Sequence, residues 1–267
     1  VKAAALGGPD RESPSARGTM VTHNTLADTG ERMLPAADGE ISYVYARHRF
    51  TYEQLRTLVS GQMVLDVGCG TGYGSQILAS AAAHVLAIDR DEEAITYCRE
   101  HYAADNLEFA VADAATLDLP DRYDAVVCLQ VIEHLNDVEA LLAGLQRVTR
   151  PGGTLYLTTP NIVEPAKGKA DNPFHLHEMT HAEFANLLRK RFDHFDLWGV
   201  GYAQPNRLRT FMGRMPFYQW GRHISRRSRI KKVAARALDL LRFEIIRDDV
   251  ATRSADLLAI CRNDRTC

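Results

Sequence analysis

Short apolar runs alternate with amphipathic stretches of helical period along most of the chain, and that alternation predicts a doubly wound sheet. Met63-Val64-Leu65 reads as a first strand, followed by a glycine-rich turn and the helical pattern Ser75-Gln76-Ile77-Leu78-Ala79. His84 to Ile88 reads as a second strand. Asp91 to Tyr102 reads as a helix whose acidic first turn, Asp91-Glu92-Glu93, suits the helix dipole. Leu107 to Ala112 and Asp124 to Leu129 read as strands three and four. Val138 to Val148 reads as a helix stopped by Pro151-Gly152-Gly153, and Leu155 to Thr159 as strand five. Thr180-His181-Ala182-Glu183 has the form of a capping box opening a further helix. Phe195 to Val200 and Ala255 to Cys261 then read as strands six and seven.

The turn after the first strand carries the most specific signal. Asp66-Val67-Gly68-Cys69-Gly70-Thr71-Gly72-Tyr73-Gly74 places glycines at 68, 70, 72 and 74. A dinucleotide fingerprint counted from Gly68 needs a glycine at 73, where this chain has Tyr, so a pyrophosphate cradle is disfavoured. Glycines lack Cβ and adopt positive φ, which lets backbone approach a ligand closely. Asp89 closes the second strand 21 residues beyond Gly68, where a carboxylate can accept from both hydroxyls of a ribose.

Asp-x-Gly-x-Gly-x-Gly after a first strand resembles the cofactor motif of class I S-adenosylmethionine-dependent methyltransferases. The segments around Asp113, Tyr123 to Leu135 and Pro151 to Leu155 resemble later motifs of that family, in the family's order, over roughly residues 44–198. The resemblance implies a Rossmann-like, seven-stranded, mostly parallel α/β sheet with an antiparallel last strand. It also implies S-adenosyl-L-methionine as cofactor. Asp66 would accept near the methionine amino group, with Gly68, Cys69, Gly70 and Gly72 forming the turn. Asp89 and Arg90 would flank the ribose, Asp113 and Ala114 would read the adenine edge, and Gln130 would close strand four beside the cofactor. For each carboxylate the plainer alternative is a helix cap or a solvated turn residue.

Methyl transfer from a sulfonium needs an aligned acceptor and, for a hydroxyl, a group to take its proton. Glu133 and His134 follow strand four, and His175, His177 and Glu178 precede the capped helix, so these are the candidate acceptor-handling groups. Some methyltransferases of sugars, quinone precursors and RNA ends hold an acceptor hydroxyl through carboxylate and histidine metal ligands, which makes Glu133, His134, His175 and His177 a candidate divalent-metal set. Their spacing is not a compact metal motif, and two would come from a long loop, so no metal is the favoured reading.

Composition narrows the class. A chain of 267 residues with 25% charged and 46% hydrophobic residues suits one large domain with additions. Five cysteines without paired short spacing suit a reducing, cytoplasmic setting. The N-terminal apolar run is too short for a signal peptide. The expected organisation is a disordered tail over 1–24, an arm and helix over 25–62 covering the cofactor, a core over 63–202, a basic helical insertion over 203–254, and a closing strand and tail over 255–267.

Tyr43 to Phe50 and the preceding Thr29 to Pro35 resemble the leading segment of bacterial methyltransferases acting on sugars, polysaccharides or glycosylated natural products, with Tyr45, His48 and Arg49 as lid contacts. The insertion carries 13 Lys and Arg against 4 Asp and Glu in a chain of net charge −2. Its densest part, Arg222 to Lys232, follows Phe217, Tyr218 and Trp220 and precedes an amphipathic stretch from Val233 to Ile246. An anionic group on the acceptor and peripheral contact with an anionic membrane are the functional readings, against a solvated basic face. Nucleic acid is not favoured, because no binding motif accompanies the charge.

The function expected is methyl transfer to a hydroxyl, or less readily an amine, of a saccharide or glycosylated natural product. Methylation of a quinone, lipid or other aromatic metabolite is the alternative on the same scaffold. A non-catalytic, cofactor-binding regulatory protein is the alternative of another class.

Overall fold

Valine, leucine and isoleucine dominate the central strands on both faces, as a sheet buried on both sides requires. In the computed structural model, which describes residues 43–117, 119, 123–162, 174–203 and 243–264, those strands form one eight-stranded sheet of order β3-β2-β1-β4-β5-β8-β6-β7. β1 (Met63–Val67), β2 (His84–Asp89), β3 (Leu107–Val111), β4 (Tyr123–Leu129) and β5 (Thr149–Pro160) run parallel. β8 (Ser254–Arg262) inserts antiparallel between β5 and β6 (Phe195–Tyr202), and β7 (Phe243–Ile246) pairs antiparallel with β6 at the edge.

The helices divide between the two faces. Tyr52, Leu55 and Val59 of α1 (Tyr43–Leu58) and its C-terminal turn join Leu78 of α2 (Tyr73–Ala79) and Ile95 of α3 (Glu92–His101). Together they cover Val64, Val85, Ala125 and Val127. On the other face, Leu141, Leu142 and Leu145 of α4 (Val138–Val148) and Phe184 and Leu188 of α5 (His181–Arg189) cover Leu65, Val126, Leu155 and Leu257. Strand alternation sends neighbouring residues to opposite layers, so Val64 and Leu65 serve different cores. Each such side chain contributes roughly 1.5–3 kcal/mol on burial, and truncating Leu142 to Ala would cost about 2–5 kcal/mol.

Local signals set the helix ends. Asp91 caps α3 by accepting from Glu93 and Ala94 N–H, and Asp137 caps α4 by accepting from Ala140 N–H. Thr180 and Glu183 form the expected capping box at α5.

Two expectations need correction. The sheet has eight strands instead of seven, because Phe243–Ile246, expected as the end of an amphipathic helix, is strand β7. Gly199 and Gly201 of β6 explain part of this: side chains there would collide with Ser254 and Ile246, so only glycine lets β7 and the short α6 (Val250–Arg253) pack so closely. Strand five begins at Thr149, well before Leu155, because Thr149 already pairs with Tyr123 and the Pro151-Gly152-Gly153 stretch forms an irregularity inside the strand, with Gly152 at φ 74°. The tail over 1–24, the arm to residue 42, the loop over 163–173 and the basic segment from Arg222 to Lys232 lie outside the described residues. Among the described residues, no helix is long and apolar enough to cross a membrane.

Candidate active site

The glycine turn crosses the carboxyl ends of β1 and β2, the ligand edge of a doubly wound sheet. Gly68 and Cys69 N–H donate to Ile88 O at 2.8 and 2.9 Å, which fixes the turn against β2. Gly68, Gly70 and Gly72 all have positive φ. At Gly68 there is a second reason for glycine, since the Val131 side chain occupies the space a Cβ would need. At Gly74 the Tyr52 ring does the same.

Asp89 sits half-buried beside the turn. Its Oδ2 accepts from Gly70 N–H at 2.8 Å and its Oδ1 from Asp91 N–H at 3.0 Å. A carboxylate has about four acceptor sites, so these bonds leave capacity for ribose hydroxyls. Arg90 is exposed next to it. Asp113 is exposed and caps the 3-10 turn Ala114–Thr116 by accepting from Ala115 N–H at 2.9 Å. Gln130 ends β4 at φ 56°, with its N–H and side-chain amide both donating to Thr158.

Asp66 is fully buried and accepts from Ser75 Oγ at 2.7 Å and from Tyr52 OH at 3.2 Å. Burial pushes its carboxyl up to about 7, opposed by the Ser75 and Tyr52 hydrogen bonds and reinforced by the charge of Asp89. Its role in this structure is to bind the turn, α2 and α1 together.

Helix α1 therefore lies on the turn. Tyr52 reaches Asp66, His48 Nδ1 lies 2.6 Å from Tyr73 OH, and the Tyr45 and Tyr73 rings approach to 4.6 Å. Burial, with neighbouring Arg47 adding to it, pushes the His48 imidazole down to about 3, so the ring is neutral. Arg49 instead faces solvent near Glu53. Arg47 pairs with buried Asp256 of β8 at 2.6 Å, where burial outweighs the guanidinium and pushes the carboxyl up to about 6. Tyr52, Arg47 and Asp256 were not anticipated from sequence. The recurrence of His48, Tyr52, Leu55 and Val59 at helical spacing marks the inward face of α1 and was the available signal.

The acceptor side begins one residue past Val131, the residue that touches the glycine turn. The 3-10 turn Ile132–His134 buries Glu133 to 1% exposure and leaves His134 at the surface of the site. The loop before α5 is pinned to this turn, because Leu176 and His177 N–H donate to Glu133 O at 2.8 and 3.2 Å. That pinning brings His175 against His134, with ring centroids 5.1 Å apart. One ligand-type atom from each of Glu133, His134 and His175 lies within 4.8 Å of the other two.

The imidazoles are oriented from behind: His134 Nδ1 lies 3.2 Å from Phe174 O, and His175 Nδ1 lies 3.0 Å from Glu178 Oε1. His177 does not join them; it is exposed and its Nε2 faces Asn136 O at 3.4 Å. Of the four residues considered as a metal set, three converge and the fourth points away. The convergence makes this cluster a better candidate for an ion than spacing alone indicated. Phe174 and Leu176, about half exposed, flank the cluster.

Residues 65–157 match the methyltransferase domain family. The chain is 37% identical over 199 residues to a probable S-adenosylmethionine-dependent methyltransferase of Mycolicibacterium smegmatis, covering 73% of each chain. It is 33% identical over 130 residues to a ubiquinone biosynthesis O-methyltransferase of Methylococcus capsulatus, covering 46% of this chain and 55% of that protein. The fold is shared with the N-methyltransferase NodS of Bradyrhizobium japonicum in complex with S-adenosyl-L-homocysteine, at TM-score 0.50 and 14% identity over 83% of this chain and 88% of that one.

Proposed function

This chain belongs to the class I S-adenosylmethionine-dependent methyltransferases, and on that premise we propose that it methylates a hydroxyl group, with a saccharide or glycosylated natural product as acceptor. The observation that carries the hydroxyl reading is the convergence of Glu133, His134 and His175, beginning two residues beyond Val131, which lies against the cofactor turn. A sulfonium methyl needs little activation, so an enzyme that acts on a neutral hydroxyl must mainly align the oxygen and dispose of its proton. Titratable groups gathered at the carboxyl end of β4 suit that task.

In the proposed reaction the acceptor oxygen takes the methyl carbon in line with the breaking C–S bond, whose electron pair returns to sulfur. An imidazole of the cluster takes the hydroxyl proton. Asp89 would hold the ribose, Asp113 and the Ala114 backbone would read the adenine edge, and Gly68 to Gly72 would pass beneath the methionine end. Helix α1, bound to the turn through Tyr52 and His48, would cover the cofactor.

A second acceptor reading has its own support. A protein similar to this chain is named for O-methylation in ubiquinone biosynthesis, and exposed Phe174 and Leu176 beside the cluster suit an apolar or aromatic acceptor. A panel of sugar nucleotides, oligosaccharides, glycosylated antibiotics and catechols, read by mass for a gain of one methyl group, separates the readings. Methylation confined to catechols would sink the saccharide assignment; methylation of amines alone would sink the hydroxyl assignment.

A further inference from the structure

We infer that the acceptor's proton crosses both imidazoles, from His134 to His175, and that Glu178 is the positioning residue that makes His175 its destination. The inference rests on the proposed hydroxyl chemistry and names the route its proton takes. Both rings are held at Nδ1, but by different groups. His134 Nδ1 lies 3.2 Å from Phe174 O, a neutral carbonyl, and His175 Nδ1 lies 3.0 Å from Glu178 Oε1, a carboxylate. Each partner only accepts, so in the neutral rings Nδ1 carries the hydrogen and Nε2 is the basic nitrogen. Protonation turns either ring into a cation. At His134 the cation meets a carbonyl dipole, whereas at His175 it meets a full negative charge, and charge-assisted hydrogen bonds are roughly twice as strong as neutral ones. The buried Glu133 carboxylate has an oxygen within 4.8 Å of a nitrogen of each ring and favours a cation on either, so Glu178 is the group that distinguishes them.

The backbone around Glu178 is fixed on both sides. Leu176 and His177 N–H donate to Glu133 O, and Met179 O accepts from Ile162 N–H where Asn161 bridges to Met179 beyond β5. Thr180 then caps α5. The two rings meet edge to face with centroids 5.1 Å apart, and a nitrogen of one lies within 4.8 Å of a nitrogen of the other. One water hydrogen-bonded to both at ordinary lengths spans about 4.6 Å, so it can carry a proton between them. As the acceptor oxygen takes the methyl carbon and the C–S electron pair returns to sulfur, the hydroxyl proton passes to His134 Nε2. The imidazolium gives it through the water to His175 Nε2, and His134 is neutral again. His175, paired with Glu178, releases it to solvent, to which both side chains are partly exposed.

The first test needs no acceptor. Long-range proton–nitrogen correlation spectra of the full chain with S-adenosyl-L-homocysteine should show Nδ1–H at both rings. The His175 Nδ1–H signal should lie downfield of its His134 counterpart and lose that displacement in Glu178→Gln. An Nε2–H tautomer at either ring would overturn the relay. Kinetics with catechol, maltose and UDP-glucose as acceptors form the second test. Glu178→Gln should lower kcat about 10–100-fold with KM for acceptor and cofactor close to wild type, and Glu178→Asp should recover part of the loss. His175→Ala should lose about 100-fold, imidazole in the buffer should restore part of it, and the double variant should lose no more than His175→Ala alone. Losses that multiply in the double variant, or a Glu178→Gln defect confined to KM, would overturn the relay and spare the hydroxyl reading. Wild-type protein that methylates none of these hydroxyls would refute that reading and the relay with it. Thermal melts identify any variant that fails to fold, and the wild-type spectra decide the tautomers whichever variants are lost.

Discussion

Nine consecutive residues, Asp66 to Gly74, form the turn on the cofactor side of the site, whereas the acceptor side takes Glu133 and His134 from the end of β4 and His175 from a loop beyond β5. The first region works largely through backbone: Gly68 and Cys69 amides bound to β2, three glycines at positive φ, and Asp89 accepting from Gly70 N–H. The second works through side chains that meet only because two amides of the loop donate to Glu133 O. A backbone-built region tolerates few changes of shape but many changes of exposed side chain. A side-chain-built region can be re-tuned one residue at a time, as a family that keeps one cofactor and varies its acceptor requires.

The sharpest way to break this division is at His134. His134→Ala should lower turnover about 100–10,000-fold, the range for loss of a proton-handling group, while calorimetry finds S-adenosylmethionine binding unchanged. A parallel loss of cofactor affinity would mean that the two regions are not separable. Asp89→Ala is the converse test. It removes bonds worth roughly 1.5–3 kcal/mol each before desolvation, so cofactor affinity should fall about 10–100-fold, with turnover at saturating cofactor changed much less.

A smaller effect tests the internal role of Asp66. Its folded-state carboxyl is raised to about 7, so the folded protein prefers it protonated. The stabilisation this gives is complete below the unfolded value near 4 and is lost as pH rises through about 7. Asp66→Asn removes that titration, so the melting temperature of the variant relative to wild type, both without cofactor, should climb by several degrees between pH 5 and pH 8. A pH-independent difference would contradict the buried, shifted state. Least affected should be Arg49→Ala, which removes an exposed ion pair with Glu53 and should change stability by less than about 0.5 kcal/mol in a denaturant titration.

The legibility of each part followed its sequence separation. The helix bounds Val138–Val148 and the Thr180–Glu183 capping box were readable because caps and helical periodicity are local. The eighth strand was not readable, because four residues of Phe-Glu-Ile-Ile serve a strand or the end of a helix equally well, and the choice was made by Gly199 and Gly201 on a distant strand. Asp66 was readable as a carboxylate of the glycine turn, but its partners could not be read. Tyr52 lies on another helix, and nothing near Asp66 in sequence tells whether the carboxylate faces a ligand or a tyrosine.

By itself the sequence determined the alternating strand and helix plan and the positions of the glycines, since each follows from the preferences of contiguous residues and needs no knowledge of what packs against them. Only the tertiary structure decided that α1 is fastened to the glycine turn and that His175 meets Glu133 and His134 while His177 turns away. Those outcomes depend on which faces of separate elements come into contact, and the energy that selects them exists only once the sheet has assembled.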